Sequence, residues 1–159
     1  MSLNSMEKFL ENLYEAEKSI HKIDHILYVT YPLVKDKRLI LKTLVETKFA
    51  MARIINSILQ YDYLFKRIKL HSSPKQNFKI FVNKCAPRYN ITPLEIKLIM
   101  ELFEIVEKHK NSPFEFRKDE KIVILSKDST PKVIVLDNTK QFLSVAKKIL
   151  EKTKNMISN

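Results

Sequence analysis

Across its 159 residues the chain holds no glycine. Loops that cradle phosphate need glycine so that backbone N–H groups can approach the anion closely. A Walker A loop, a GxGxxG dinucleotide turn, a GxSxG nucleophile elbow and a kinase glycine-rich loop are therefore all excluded. The same absence constrains the fold. Helix ends, where glycine usually takes the left-handed position, must use Asn, Lys or Ser instead.

The apolar pattern is helical over most of the chain. Met6, Phe9, Leu13, Ala16, Ile20, Ile23 and Leu27 repeat at alternating spacings of three and four, an unbroken a/d seam. Leu10, Tyr14 and Ile26 widen it into the stripe of a bundle helix. Tyr31-Pro32 predicts its end, because proline disfavours a helical residue before it. A second helix is predicted from near Asp36, a fitting N-cap, and it runs on as far as Leu70. Its apolar positions, from Leu39 to Leu59, cover much of its girth, which predicts the central, most buried helix. A short linker around Pro32 folds the first two helices into an antiparallel pair.

Two further starts carry capping boxes: Ser73-Pro74-Lys75-Gln76, and Thr92 with Glu95, the latter flanked by an Ile91/Ile96 staple. The first opens a short helix with Phe78, Phe81 and Val82, ended by Pro87. The second opens a helix to about His109. The period then changes. Lys121–Leu125 and Lys132–Leu136 are β-branched runs around Lys127–Pro131 and predict a β-hairpin, with Phe114-Glu-Phe116 able to add a strand. Asn138 with Gln141 predicts the start of a last helix. The fold class is mainly α: an antiparallel bundle of four to five helices with a small β-hairpin inserted before the last helix. It forms one domain, with residues 1–112 the bundle, 113–136 the hairpin and 137–159 the helix packing back.

At 45% hydrophobic residues the chain can bury a real core. Cys85 is its only cysteine, so no disulfide framework or cysteine zinc site is expected, which suits a reducing cytoplasm. No apolar run approaches the roughly 20 residues of a membrane span, and no secretory signal opens the chain. The opening Met-Ser-Leu reads as an addition, with Met6 a candidate start.

Lys+Arg 29 against Asp+Glu 18 gives a net charge of +11, a balance that favours phosphate-bearing partners. The excess is uneven. Residues 35–72 hold nine basic and three acidic residues, whereas residues 1–34 hold three and five. Within the basic segment, Lys66, Arg67, Lys69 and His71 come after Tyr63. If the helix persists, Arg67 and His71 share a face, and such a pair has the logic of a ribonuclease: a proton-moving imidazole beside a guanidinium for phosphorane-like charge. The plainer reading is a cationic last turn facing the negative end of the helix dipole. Tyr61, Tyr63 and Phe65 interleave with the cations and suit base stacking, although core packing is the commoner fate of such rings. Lys35, Lys37, Arg38 and Lys42 form a second basic group at the other end of the same helix. Glu17, His21 and His25 lie four apart on the first helix, a spacing that can chelate a metal, but it is weighed against ordinary surface histidines. Ser144-Val-Ala-Lys147 matches Ser-x-x-Lys without the partner motifs that give it meaning. No cofactor is implied.

The order of elements, the basic stretch "YDYLFKRIKLH" and the segment "SPFEFRKDEKIVIL…KVIVLDNTKQFLSVAKKIL" together resemble the HEPN superfamily of small helical proteins, common in archaea and bacteria. The resemblance is one of layout over most of the chain. It implies a helical bundle, often dimeric, that acts on or near RNA or partners a small nucleotidyltransferase. Active members carry an Arg, four to six residues, then a His; Arg67 and His71 have three between them. The expected function is thus a non-enzymatic cytoplasmic module that binds nucleic acid or a nucleotide through Tyr63, Lys66, Arg67, Lys69, His71, Lys35, Lys37 and Arg38. The alternatives are a protein-interaction or homodimer module, and a metal-independent ribonuclease using Arg67 and His71.

Overall fold

The computed structural model describes residues 3–111, 114–118, 121–125 and 131–158. Helix α1 spans Leu3–His25 and passes through a π turn, Ile26–Thr30, into α2, Tyr31–Val34. Helix α3 is Arg38–Leu64 and α4 is Pro74–Ile80, continued by a second π turn, Phe81–Cys85. Helix α5 is Pro93–Asn111, and α6, Leu136–Ser158, closes the chain. The fold is mainly helical, as the periodicity predicts.

The heptad seam of α1 is buried from Phe9 through Leu13, Ala16, Ile20 and Ile23 to Leu27; Met6 lies outside the described side chains. The wider stripe is corrected, because Leu10 and Tyr14 face solvent and Ile26 is only half-buried. Helix α3 is the main partner of α1, with α6 alongside, and the seam alone is wide enough to meet them. Helix α3 also packs on α5 and α6 and is the central helix. Ile40, Leu44, Met51, Ile54 and Ile58 along it have essentially no exposure. Its buried hydroxyls are satisfied. Thr43 and Thr47 donate to carbonyls one turn back, and Ser57 Oγ donates to the Phe9 carbonyl at 2.9 Å, tying α3 to α1.

Pro32 does not end the first helix, contrary to the sequence expectation. Tyr31 before it keeps helical angles, φ −58° and ψ −45°. The π turn explains this. Tyr31 N–H reaches back to the Ile26 carbonyl, so the missing N–H of Pro32 falls at the junction of two hydrogen-bond ladders. The helix stops at Lys35, with φ 53°. Asp36 caps the start of α3: its carbonyl accepts the Leu39 N–H at 3.0 Å and its Oδ1 the Arg38 N–H at 3.0 Å.

Among the described residues, positive φ falls on Lys35, Lys66 and Asn90, at 53°, 60° and 57°. These are the residue types a chain without glycine was expected to use. Two of the three close Schellman motifs. After α3, Arg67 N–H donates to the Asp62 carbonyl at 2.9 Å and Lys66 N–H to Tyr63 at 3.0 Å. After the second π turn, Ile91 N–H donates to Ala86 at 3.0 Å and Asn90 N–H to Pro87 at 3.3 Å. Helix α3 therefore ends at Leu64 and does not continue to Leu70.

Both capping boxes mark true starts. Ser73 Oγ accepts the Gln76 N–H at 3.4 Å. Thr92 and Glu95 exchange two bonds, 2.9 and 3.1 Å, between buried Ile91 and Ile96. Lys152 of α6 reaches Glu95 Oε1 at 2.6 Å and the Asn90 carbonyl at 2.7 Å, sealing this corner. Burial alone would raise the Glu95 carboxyl, but hydrogen bonds from Lys152 and the Thr92 N–H outweigh it and hold the group below its usual range.

The predicted hairpin is present and gains the third strand. Strands β1 (Phe114–Lys118), β2 (Lys121–Leu125) and β3 (Pro131–Val135) form an antiparallel sheet in chain order. Phe114 pairs with Leu125, and Lys121 with Val135. Of the Lys127–Pro131 turn, residues 127–130 lie outside the described residues. Ile134 inserts into the core, and β3 passes directly into α6 at Leu136, two residues before the predicted Asn138 start. Among the described residues no helix is long and apolar enough to cross a membrane.

Candidate nucleic-acid interface

The end of α3 is organised by an acid that periodicity places among hydrophobes. Asp62 lies four residues beyond Ile58, on the core stripe, and is fully buried. A carboxylate without solvent is tolerated only when paired and hydrogen-bonded. Arg67 Nη1 donates to its Oδ1 at 3.3 Å, Tyr89 Oη donates to Oδ1 at 3.1 Å, and Arg88 Nη2 donates to Oδ2. Both arginines come from the Schellman closures, since Arg67 directly follows Lys66 and Arg88 precedes Tyr89 and Asn90. The Arg67 peptide N–H also binds the Asp62 carbonyl, so one residue is held at two points.

The neighbouring acids of this cluster are kept protonated. Burial first, and then the hydrogen bond and charge of Asp62, push the Cys85 thiol up to about 12. Burial and Asp62 likewise raise the Tyr89 phenol far above its ordinary range. Both serve as neutral groups, and Cys85 is inert as a nucleophile. The arginines differ, with their side chains one-third or more exposed at 38% and 33%. One end of each guanidinium is fixed by Asp62 while part of each reaches water. The buried Arg88 Nε has no acceptor among the described residues.

Beside this anchor lies a concavity of about 460 Å³ lined by Lys66, Arg67, Ile68, Lys69, His71 and Lys84, with Ile80. Four of the predicted cations thus converge, and Lys84 of the second π turn joins them. The geometry differs from the predicted one. Lys66 and the residues after it lie beyond the helix, so no helical i,i+4 face carries Arg67 and His71, and α3 has no basic residue in its last turn. The left-handed turn at Lys66 redirects the chain; buried Ile68 pins it to the core. His71 is fixed through its backbone, because its N–H donates to Asn77 Oδ1 at 2.8 Å and its carbonyl accepts from Asn77 Nδ2 at 2.9 Å.

The aromatics divide. Tyr61 packs edge-on against Phe9 at 5.2 Å and leans on Phe65 at 4.7 Å. Phe65 remains exposed, with the Arg67 guanidinium 5.3 Å from its ring centre. Tyr63 is also exposed, at 55%, but is not among the residues that line the concavity.

The second predicted basic group is not part of this site. Lys35, Lys37 and Arg38 sit at the start of α3, about 40 Å from its end for a helix of 27 residues. Arg38 is committed locally, since its Nε and Nη2 close on Asp36 at 2.7–3.1 Å. Glu17 and His21 line a separate cavity of about 550 Å³ between α1 and α6, but His25 does not. There Glu17 accepts from Lys154 at 2.8 Å and Asp24 pairs with Lys147. Glu17, the one acid of the predicted metal ladder, therefore faces a lysine, and among the described residues no three His, Cys, Asp or Glu side chains gather to hold a metal.

Sequence reasoning missed Asp62, Lys84 and Arg88. The first had a signal, an acid interrupting an apolar helical stripe. The other two had none, because only the packing of α4 and its π turn against α3 brings them near. No family model, no curated protein and no solved structure matches the chain.

Proposed function

We propose that the chain is a non-catalytic, cytoplasmic nucleic-acid-binding module that holds backbone phosphates in the concavity at the end of α3. One observation carries this reading: Lys66, Arg67, Lys69, His71 and Lys84 line a single hollow with no acid among its lining residues. Asp62, behind it, engages Arg67 and Arg88 without neutralising the group. The fixed guanidinium of Arg67 suits phosphate because little side-chain freedom remains to be lost on binding. Phe65, exposed beside Arg67, offers a stacking face for an unpaired base, which favours single-stranded or looped RNA. The resemblance in layout to HEPN proteins implies a role on or near RNA, and this reading takes that up.

The test is fluorescence anisotropy with a labelled single-stranded RNA at stepped salt. Affinity should fall steeply with salt, with a log–log slope of about −0.7 per phosphate held. Joint replacement of Lys66, Lys69 and Lys84 by Ala should lower affinity about tenfold or more and flatten the slope. Absence of salt-dependent binding would sink the reading, and binding of a free nucleotide alone would narrow it to nucleotide recognition.

The ribonuclease reading keeps one supporting observation, since Arg67 and His71 line the same hollow. Against it, His71 is the only lining side chain of a type that exchanges a proton readily near neutral pH, so it would have to serve as both base and acid. RNA cutting that His71→Ala abolishes would favour it.

A further inference from the structure

We infer that a groove between α3, α4 and α5 is a docking site for an acidic amphipathic helix of a partner protein. The groove is separate from the phosphate hollow and independent of that reading. Its floor is one face of α3: Lys48, Ala52, Ile55, Asn56 and Leu59. These span twelve residues of the helix, about 16 Å or three turns. One wall is α4 with its π turn, presenting Phe78 and Val82; the other is α5, presenting Met100 and Phe103. The volume is about 840 Å³, and the trough is open to solvent. A lined trough of three helical turns matches a partner helix laying apolar side chains at i, i+3, i+4 and i+7 into it.

Charge decides the occupant. The lining residues include Lys48, Lys75 and Lys79 and no carboxylate. Lys75 and Lys79 have no acidic partner among the described residues. Lys48 lies over the rings of Phe49 and Phe103, at 4.7 and 6.0 Å. An apolar floor with a rim of one sign selects a helix with an apolar stripe flanked by Glu or Asp. A second copy of this chain fits less well, because two bodies of charge +11 repel. Helix α4 is the wall common to both sites, since Ile80 lies in the phosphate hollow and Phe78 and Lys79 in the groove.

The probe is a labelled synthetic helix of about 14 residues, four turns, with Leu at i, i+3, i+4 and i+7 and Glu elsewhere on its flanks. A second peptide carries Lys in place of each Glu. Anisotropy with the whole chain should show binding of the Glu peptide and at least tenfold weaker binding of the Lys peptide. K75E with K79E should weaken the Glu peptide about tenfold, and Met100→Lys should do the same, with circular dichroism and RNA binding unchanged for Met100→Lys. The inference is overturned if the Glu peptide does not bind, if both peptides bind equally, or if the variants leave binding intact. It is also overturned if light scattering shows a dimer that Met100→Lys converts to monomer, because the occupant would then be a second copy.

Discussion

At the start of α3 the exposed guanidinium of Arg38 closes on Asp36, two residues away and partly open to solvent; at its end Arg67 closes on Asp62, which has no solvent at all. Both ends are basic in sequence, and both are entered or left through a lysine with positive φ. Only the second gathers cations from different parts of the chain. The difference lies in the carboxylate. A part-exposed Asp paired with an exposed Arg contributes little, because water competes for both partners. A buried Asp must recruit every donor within reach, and Arg67, Arg88 and Tyr89 are drawn from two separate turns to meet it. A basic stretch becomes a site when something in the core fixes it.

Removing the two acids should separate the ends most sharply. Asp62→Ala leaves two guanidiniums and the Tyr89 hydroxyl without their acceptor. It should cost about 3–5 kcal/mol of stability, the range for breaking a buried ion pair. Asp36→Ala should cost about 1 kcal/mol or less, as for an exposed pair with a capping role. Urea unfolding of the two variants measures both; similar losses would remove the contrast. Binding gives the next largest difference. Lys66, Lys69 and Lys84 replaced together by Ala should weaken RNA binding about tenfold or more, whereas Lys35 and Lys37 replaced together should change it less than about twofold, read by anisotropy at low salt.

The smallest effects concern what the two ends share. Lys66→Gly and Lys35→Gly should each stabilise the fold by about 0.5–1 kcal/mol, since glycine adopts positive φ without the Cβ clash. Asn90→Gly should gain less, because Asn tolerates that conformation better. Thermal melts decide it. A loss of stability at Lys66 alone would mean that its side chain holds the hollow together, giving the two ends yet another difference.

Much of the architecture was legible in single residues. The α1 seam, the Thr92–Glu95 box and the β-branched runs each specify a local structure, and neighbours a few residues away supply its hydrogen bonds. Pro32 misled because its effect depends on the ladder it enters, and the π turn at Ile26–Thr30 has no sequence mark of its own. Leu10 and Tyr14 misled because an apolar residue records what a helix can bury, and the number of helices packed on it is a tertiary fact.

The sequence by itself determined that left-handed helix ends would fall on Asn, Lys or Ser, that α3 would be central, and that cations would cluster near residue 67. These come from covalent limits on φ, from helical period and from composition. Tertiary structure alone decided that Arg67, Arg88 and Tyr89 meet on Asp62, that Lys84 arrives beside Arg67, and that α3 stops at Leu64 so that Lys66–His71 turns into a hollow. Pairing across 26 residues, as between Asp62 and Arg88, is fixed by how the α4 segment seats on α3. No local pattern encodes that seating, because it is set by packing summed over the whole core.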